Sequence, residues 1–454
     1  MRLLRHCKET AIRGDFPKKL VAESMLQAKF STPRNVLFGK HAVLLCGIMF
    51  AVVLFGGTSY ADSMFSFHGA MSETVLNAYL SRAVSHQLLF TDNDEALLAD
   101  DIRMFHDEGA KFIGRASIIW ETPPDVDAFF DQAASLAAQV HAVDPEIILQ
   151  AGVFEIVDTG VDAVSVPTTT FEAFGLTPVE RHFRYADMLY PDGTYWDYFG
   201  SGQSIPDMSR LETRLWFYTR ARRYIDAGYE ALHFGVVDTV EMNDAGNAAL
   251  YDLLTRIREY AAQAARRGMI LCDAHHPTGM SVEGKTVFDF LSYPMRIQET
   301  VGIPYEGHLS MDAEDVIYGR TLGGVTPSGW IAERLPYLVE IDNWGSSGQG
   351  GEDIGGIWVW GWDEIDWFAR LASDKRDEFL RSAVSWLRTH DAYGHVQFPS
   401  RRILADPVAD NVSWYFANRK SAACVNGFGQ EDVIQRLMQP LSMVPVLLVI
   451  EEES

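Results

Sequence analysis

The chain has 454 residues, 47% hydrophobic and 22% charged, which excludes a collagen, a coiled coil or wholesale disorder. Its 62 acidic residues against 38 Lys and Arg give a net charge of −24, a surface that repels phosphate backbones and excludes nucleic acid as the favoured partner. Cys7, Cys46, Cys272 and Cys424 show no C-x-x-C spacing, so neither a zinc knuckle nor a disulfide scaffold is expected.

Residues 1–61 read as a signal peptide with a long basic leading region. The first forty residues carry nine Lys/Arg and three acids, and an apolar run from Ala42 to Gly57 follows. Ser59 and Ala61 then occupy the small-residue positions of a cleavage site. A start at Met25 gives a more usual length, and an uncleaved anchor is the alternative. The expectation is a secreted or periplasmic protein without stable membrane insertion once the signal is removed.

Beyond residue 61 one unit recurs: an amphipathic helix, a glycine, then a short apolar strand. Gly109, Gly228 and Gly268 stand where left-handed residues would end three such helices. In the third helix Leu250, Leu253, Leu254, Ile257, Ala261 and Ala264 form one stripe at helical spacing. Two more helices fit Asp125–Val143 and Asp374–His390. Eight strands are expected: Leu76–His86, Phe112–Glu121, Glu146–Glu155, Ala231–Val240, Met269–Ala274, Val287–Arg296, Tyr337–Asp342 and Ile357–Trp362. No helix is visible between the fifth and sixth. The pattern predicts an α/β fold, a (β/α)8 TIM barrel over residues 62–395 with a short extension over 396–454. A doubly wound sheet is the alternative, without a G-x-G-x-x-G or Walker loop to support it. Residues 158–208, rich in Gly, Pro, Asp and aromatics, form a long loop insertion after strand three, over one barrel mouth.

Polar residues gather at the strand ends: Trp120 and Glu121, Glu155, Asp238 and Glu241, Asp273 with His275 and His276, Arg296, Glu340 with Asp342, and Trp360, Trp362 and Asp363. In a barrel these ends converge on one cavity, where clustered carboxylates raise each other's pKa. On strand seven, alternation points Leu338, Glu340 and Asp342 inward and Val339 and Ile341 outward. Glu340 is placed to be a nucleophile or stabilising carboxylate; the alternative is a structural ion pair with Arg296 or another base. On strand four either Asp238 or Glu241 reaches the mouth, and Asn243 or Asp244 caps the next helix. Asp238 is expected to be the proton donor, with Glu241 on the substrate. Asp273 and His275 could bind a metal, but a hydrogen bond from His275 to substrate is favoured, and no metal or cofactor is expected. Trp358 suits core packing, whereas Trp360 and Trp362 suit either packing or a platform for a sugar ring.

These residues resemble a TIM-barrel glycoside hydrolase, similar in layout to the retaining clan A enzymes. That resemblance implies an acid/base residue at the end of strand four, a nucleophile at Glu340 and a strand-eight Trp at Trp360 or Trp362. Strand four reads Val-Asp-Thr-Val-Glu where that clan has Asn-Glu. The expected function is an exported glycosidase that cleaves an oligo- or polysaccharide with two carboxylates at the C-terminal face. Trp120, Glu121, Glu155, His275, Arg296, Asp342, Trp360, Trp362 and Asp363 would bind substrate. The alternatives are a metal-dependent hydrolase using Asp273 and His275, and a non-catalytic carbohydrate-binding barrel.

Overall fold

A computed structural model describes residues 64–89, 94–303, 305–311, 316–343, 361–408 and 411–439. The expected signal peptide and Trp344, Trp358 and Trp360 lie outside these residues. Eight parallel strands pair in chain order and close on themselves. They are β1 (Ala83–His86), β2 (Phe112–Ile118), β3 (Ile148–Gly152), β4 (Ala231–Val236), β5 (Leu271–His275), β6 (Leu291–Pro294), β7 (Tyr337–Glu340) and β8 (Gly394–Val408). β8 pairs with both β7 and β1, so the sheet is a closed (β/α)8-type barrel.

Two strand expectations are corrected. Leu76 to Leu80 belong to helix α1 (Glu73–Leu80), which starts where the Ser72 hydroxyl accepts from the Val75 amide at 3.3 Å. Its Leu76, Tyr79 and Leu80 close the barrel floor against Ala83, Phe112, Ile148, Ala231, Leu271 and Leu338. The strand that closes the barrel is Gly394–Val408, so it takes in residues read as extension, and residues 357–360 of the expected strand Ile357–Trp362 lie outside the described residues. Gly394 fits there because a Cβ would lie 2.8 Å from the Tyr337 ring on the neighbouring strand.

Helices α2 (Glu95–Glu108), α3 (Val126–Val143), α4 (Leu211–Asp226) and α5 (Ala248–Ala264) follow the first four strands. Asp94 and Asp125 cap α2 and α3 through their carboxylates, and Gly109 ends α2 at φ 73°. The α5 stripe is buried from Leu250 to Ala261, while Ala264 is exposed. Among the described residues no helix lies between β5 and β6 or between β6 and β7; short hairpins such as Ser281–Thr286 stand there instead. Helices α6 (Glu364–Arg370) and α7 (Ser373–His390) fill the β7–β8 crossover. After β8 the chain turns into antiparallel β9 (Val412–Phe416) and helix α8 (Glu431–Met438), which docks on α2 through an Arg103–Glu431 ion pair at 2.8 Å. No described helix is long and apolar enough to cross a membrane.

Above the apolar floor, the barrel interior is polar. Gln150 Nε2 on β3 bonds Asp273 Oδ1 on β5 at 2.7 Å, and Ser85 Oγ on β1 bonds Glu340 Oε2 on β7 at 3.3 Å. Neither pair of strands is adjacent, so the bonds run through the barrel interior. His233, Ser292 and Gln397 complete this buried layer from β4, β6 and β8.

Candidate active site at the C-terminal face

Glu340 is the centre of the buried network, with no exposed surface. Arg115 bonds its Oε1, and Arg402 Nη1 bonds its Oε2 at 3.0 Å. His275 Nε2 stands 3.2 Å from Oε1 and 3.0 Å from Arg115 Nη2; in the tautomer with the proton on Nε2 it donates to the carboxylate, and in the other it accepts from the guanidinium. Burial alone would raise the Glu340 pKa, but Arg115, the His275 hydrogen bond and Arg402 outweigh it and hold the carboxyl well below its usual range. Asp342 is held down in the same way: burial and Glu340 push it up, while Arg402 and Arg115 prevail.

Arg115 reaches this position because β2 breaks register between Ile113 and Ser117, and Arg115 itself adopts φ 62°. Its amide donates to Gln150 Oε1 at 3.2 Å. Arg402 enters from β8, where its Nη1 also bonds Ser85 Oγ at 2.6 Å and its Nη2 bonds Asp342. Sequence reasoning missed Arg115, Arg402, Ser85, Gln150 and His233. The one legible signal was Arg115 itself, a cation inside the apolar run FIGRASII, which burial obliges to find a partner.

Asp273 bonds Gln150, Ser292 Oγ at 2.6 Å and His233 Nδ1 at 2.9 Å. Burial pushes its pKa up to about 7 against the Ser292 hydrogen bond, while burial and Arg115 keep His233 neutral. Asp273 is therefore part of the interior scaffold. A possible cation-binding group among the described residues is His275, Glu340 and Asp342, with ligand atoms within 4.8 Å of one another. Arg115 and Arg402 already neutralise both of those carboxylates, so the electrostatics oppose a metal ion there.

A second acidic group stands after β4. His276 Nδ1 accepts from the amides of Thr278 at 3.1 Å and Gly279 at 2.8 Å. Its proton is thereby on Nε2, which faces Asp238 Oδ1 at 3.1 Å. Glu241, half-buried, has its pKa pushed up to about 7 by burial and then by Asp238. Asp244 caps α5, accepting from the Ala249 and Leu250 amides at 2.8 Å each, as expected of that position. Glu155 is half-buried with its pKa raised by burial; its Oε2 accepts from the Val236 amide at 3.1 Å. It fits beside β4 because position 235 is glycine, where a Cβ would meet that oxygen at 1.8 Å.

The remaining expected residues divide. Half-buried Trp120 meets Phe154 and Phe199 edge-on at 5.8 and 5.2 Å, lining the mouth below the 158–208 loop. Glu121 accepts from Gln203 Nε2 at 2.6 Å, which ties that loop to β2. Arg296 pairs with buried Glu364 at 3.1 Å rather than with Glu340. Asp363 accepts from Asn343 Nδ2 at 3.4 Å. Trp362 keeps 7% exposure, with Tyr305 stacked at 5.5 Å and Arg370 at 4.7 Å, so packing rather than an open sugar platform describes it.

No family model matches the chain, and no curated protein matches it. Solved structures similar to it include a debranching enzyme from Nostoc punctiforme, at 10% identity over 47% of this chain and 52% of that one, with a TM-score of 0.29. The α-galactosidase of Thermus thermophilus matches at 13% identity over 42% and 37%, TM-score 0.26. The type III pullulan hydrolase of Thermococcus kodakarensis matches at 11% identity over 47% and 46%, TM-score 0.30. The matched region thus spans about half or less of each of those chains. Likeness this weak leaves the barrel to rest on its own strand pairing.

Proposed function

We propose that the protein is a glycoside hydrolase whose C-terminal barrel face cleaves a glycosidic bond with two carboxylates in opposite protonation states. The observation that carries this reading is the splitting of two acids at the same face. Glu340 at the end of β7 is held ionised by Arg115 and Arg402, whereas Glu241 after β4 has its pKa pushed up to about 7. Glycosidic cleavage needs such a pair, one carboxyl to protonate the leaving oxygen and one carboxylate to stabilise or attack the anomeric carbon.

The proton is assigned to Glu241 rather than to Asp238, which reverses the division expected from sequence. Asp238 faces the His276 Nε2 proton as an acceptor, and its charge helps to keep Glu241 protonated. The test uses aryl glycosides with activated leaving groups, which need little protonation. Glu241→Gln should spare these substrates far more than an unactivated saccharide, and Glu340→Gln should nearly abolish turnover of both, since acid–base help alone is worth about 10²–10⁴. Equal damage to both substrate types by Glu241→Gln would remove Glu241 as donor. Export belongs to this reading as well, supported by the Ala42–Ala61 pattern.

A second reading rests on a different observation: Glu340 is fully buried and both of its oxygens are engaged. In that case it is the keystone of a carbohydrate-binding barrel without turnover. Saccharide binding that survives Glu340→Gln, with no hydrolysis by the wild type, would favour it.

A further inference from the structure

The loop insertion after β3 presents one large aromatic side chain outward. Trp196 is 52% exposed, although its neighbours Tyr195 and Tyr198 are half-buried. The backbone forces this display. Tyr195 and Asp197 on either side adopt φ 58° and 53°, a left-handed region that costs free energy in non-glycine residues. The turn is held by Asp197, whose Oδ1 accepts from the Gly202 amide at 2.6 Å and whose own amide donates to Ser204 Oγ at 2.8 Å. The indole does not swing freely: Trp196 Nε1 donates to the Tyr190 carbonyl at 2.8 Å.

Tyr190 also fixes where the indole stands relative to the acids. Its hydroxyl donates to the Thr239 carbonyl at 2.8 Å, within the turn that carries Asp238 and Glu241. Met242, next to Glu241 in the chain, is 55% exposed and offers a second apolar side chain. From Tyr195, a run of edge-on ring contacts leads inward through Tyr198, Phe199, Trp120 and Phe154 to His233, each within 5.8 Å of the next. Aromatic surface thus runs from Tyr195, the chain neighbour of the exposed indole, to the polar interior.

We infer that Trp196 is the platform of an outer subsite that takes a neutral sugar unit of an extended saccharide chain, one or more residues away from the bond that is cleaved. The inference rests on the glycosidase reading for the location of cleavage, but not for binding itself. An exposed indole supplies a flat apolar face for the C–H side of a pyranose, and strain retained to expose it is the mark of a functional display. The sugar is neutral because acidic groups lie close to this face: Asp197, which holds the turn beside the indole, and Asp238, which acts electrostatically on the neighbouring Tyr195. A uronic acid chain would meet their charge as well as the chain's net −24.

The test is electrophoresis of the full folded protein through native gels that contain a soluble polysaccharide. The neutral probes are glycogen, galactomannan, arabinoxylan and hydroxyethylcellulose, and the acidic probe is polygalacturonate. Retardation in at least one neutral gel and none in polygalacturonate is expected. Trp196→Ala should weaken that retardation about 3–10-fold in apparent affinity, the size of one aromatic contact, and Trp196→Phe should restore most of it. Retardation that Trp196→Ala leaves unchanged, retardation in polygalacturonate alone, or none in any gel overturns the inference. Hydrolysis assays of the wild type, run in parallel on the same polysaccharides, separate the two readings: if none is hydrolysed but neutral gels retard the protein through Trp196, the glycosidase reading fails and the subsite stands.

Discussion

His276 donates to Asp238 through Nε2 because its Nδ1 is already occupied by the amides of Thr278 and Gly279. This fixes an imidazole against the acid that neighbours Glu241. After burial, the charge of Asp238 is the largest influence that raises the Glu241 pKa. Asp238→Asn removes it, so the alkaline limb of the kcat/KM–pH profile, set by loss of the Glu241 proton near pH 7, should move to lower pH. A profile that ignores this change would show that Glu241 does not set the limb.

Glu340→Gln leaves Arg115 and Arg402 buried without their shared carboxylate. Breaking a buried pair in this way costs about 3–5 kcal/mol, so the variant should unfold at markedly lower urea at pH 7. The folded pKa of Glu340 is depressed, so its contribution is complete above the unfolded value of about 4.3 and is lost as pH falls through the lower folded value. The gap between wild type and Glu340→Gln should therefore be widest near neutrality and narrow in acid. A gap that is constant with pH would mean that the charge of Glu340 is not what stabilises the barrel.

Gly114→Ala places a methyl 1.9 Å from Gln397 Nε2 and 3.0 Å from Gln150 Oε1. Neither amide is free to retreat: Gln397 donates to the Val84 carbonyl at 3.2 Å, and Gln150 holds Asp273 and the Arg115 amide. Overpacking of this kind costs about 1–3 kcal/mol, measurable as a drop in Tm. Shortening the partner in the double variant Gly114→Ala, Gln397→Ser should recover part of the loss.

Exhaustive dialysis against a chelator should leave both Tm and turnover unchanged, because the guanidiniums of Arg115 and Arg402 occupy the face of Glu340 and Asp342 that a cation would need. Loss of activity on chelation, regained with zinc or manganese, would restore the metal-dependent alternative.

Local signals made most of the barrel legible from sequence. The helix read from Asp125, Gly109 after Glu108 and the alternation of Leu338, Val339, Glu340 and Ile341 each rest on a few residues; the helix starts one residue later, at Val126 with Asp125 as its cap, and the other two are found as read. β8 was illegible because its interior face carries Gln397 and Arg402 and so breaks the apolar run that marks the other strands. The polar interior was hidden for a related reason. Ser85 and Glu340 lie 255 positions apart, and Gln150 and Asp273 lie 123 apart, so no window of sequence contains both partners. Trp362 misled because tryptophan at a strand end and tryptophan packed under Tyr305 and Arg370 have the same local sequence.

The strand that closes the barrel is also the one that brings Arg402 and Gln397 to the interior. During synthesis, Glu340 and Asp342 are made before their shared partner Arg402 exists. A nascent chain that ends before residue 394 has an open sheet edge on β1 and β7 and a surplus of unpaired negative charge between them. Closure and charge balance thus arrive in one step, when the last strand is released, and the unfinished barrel has an electrostatic reason to stay open until then.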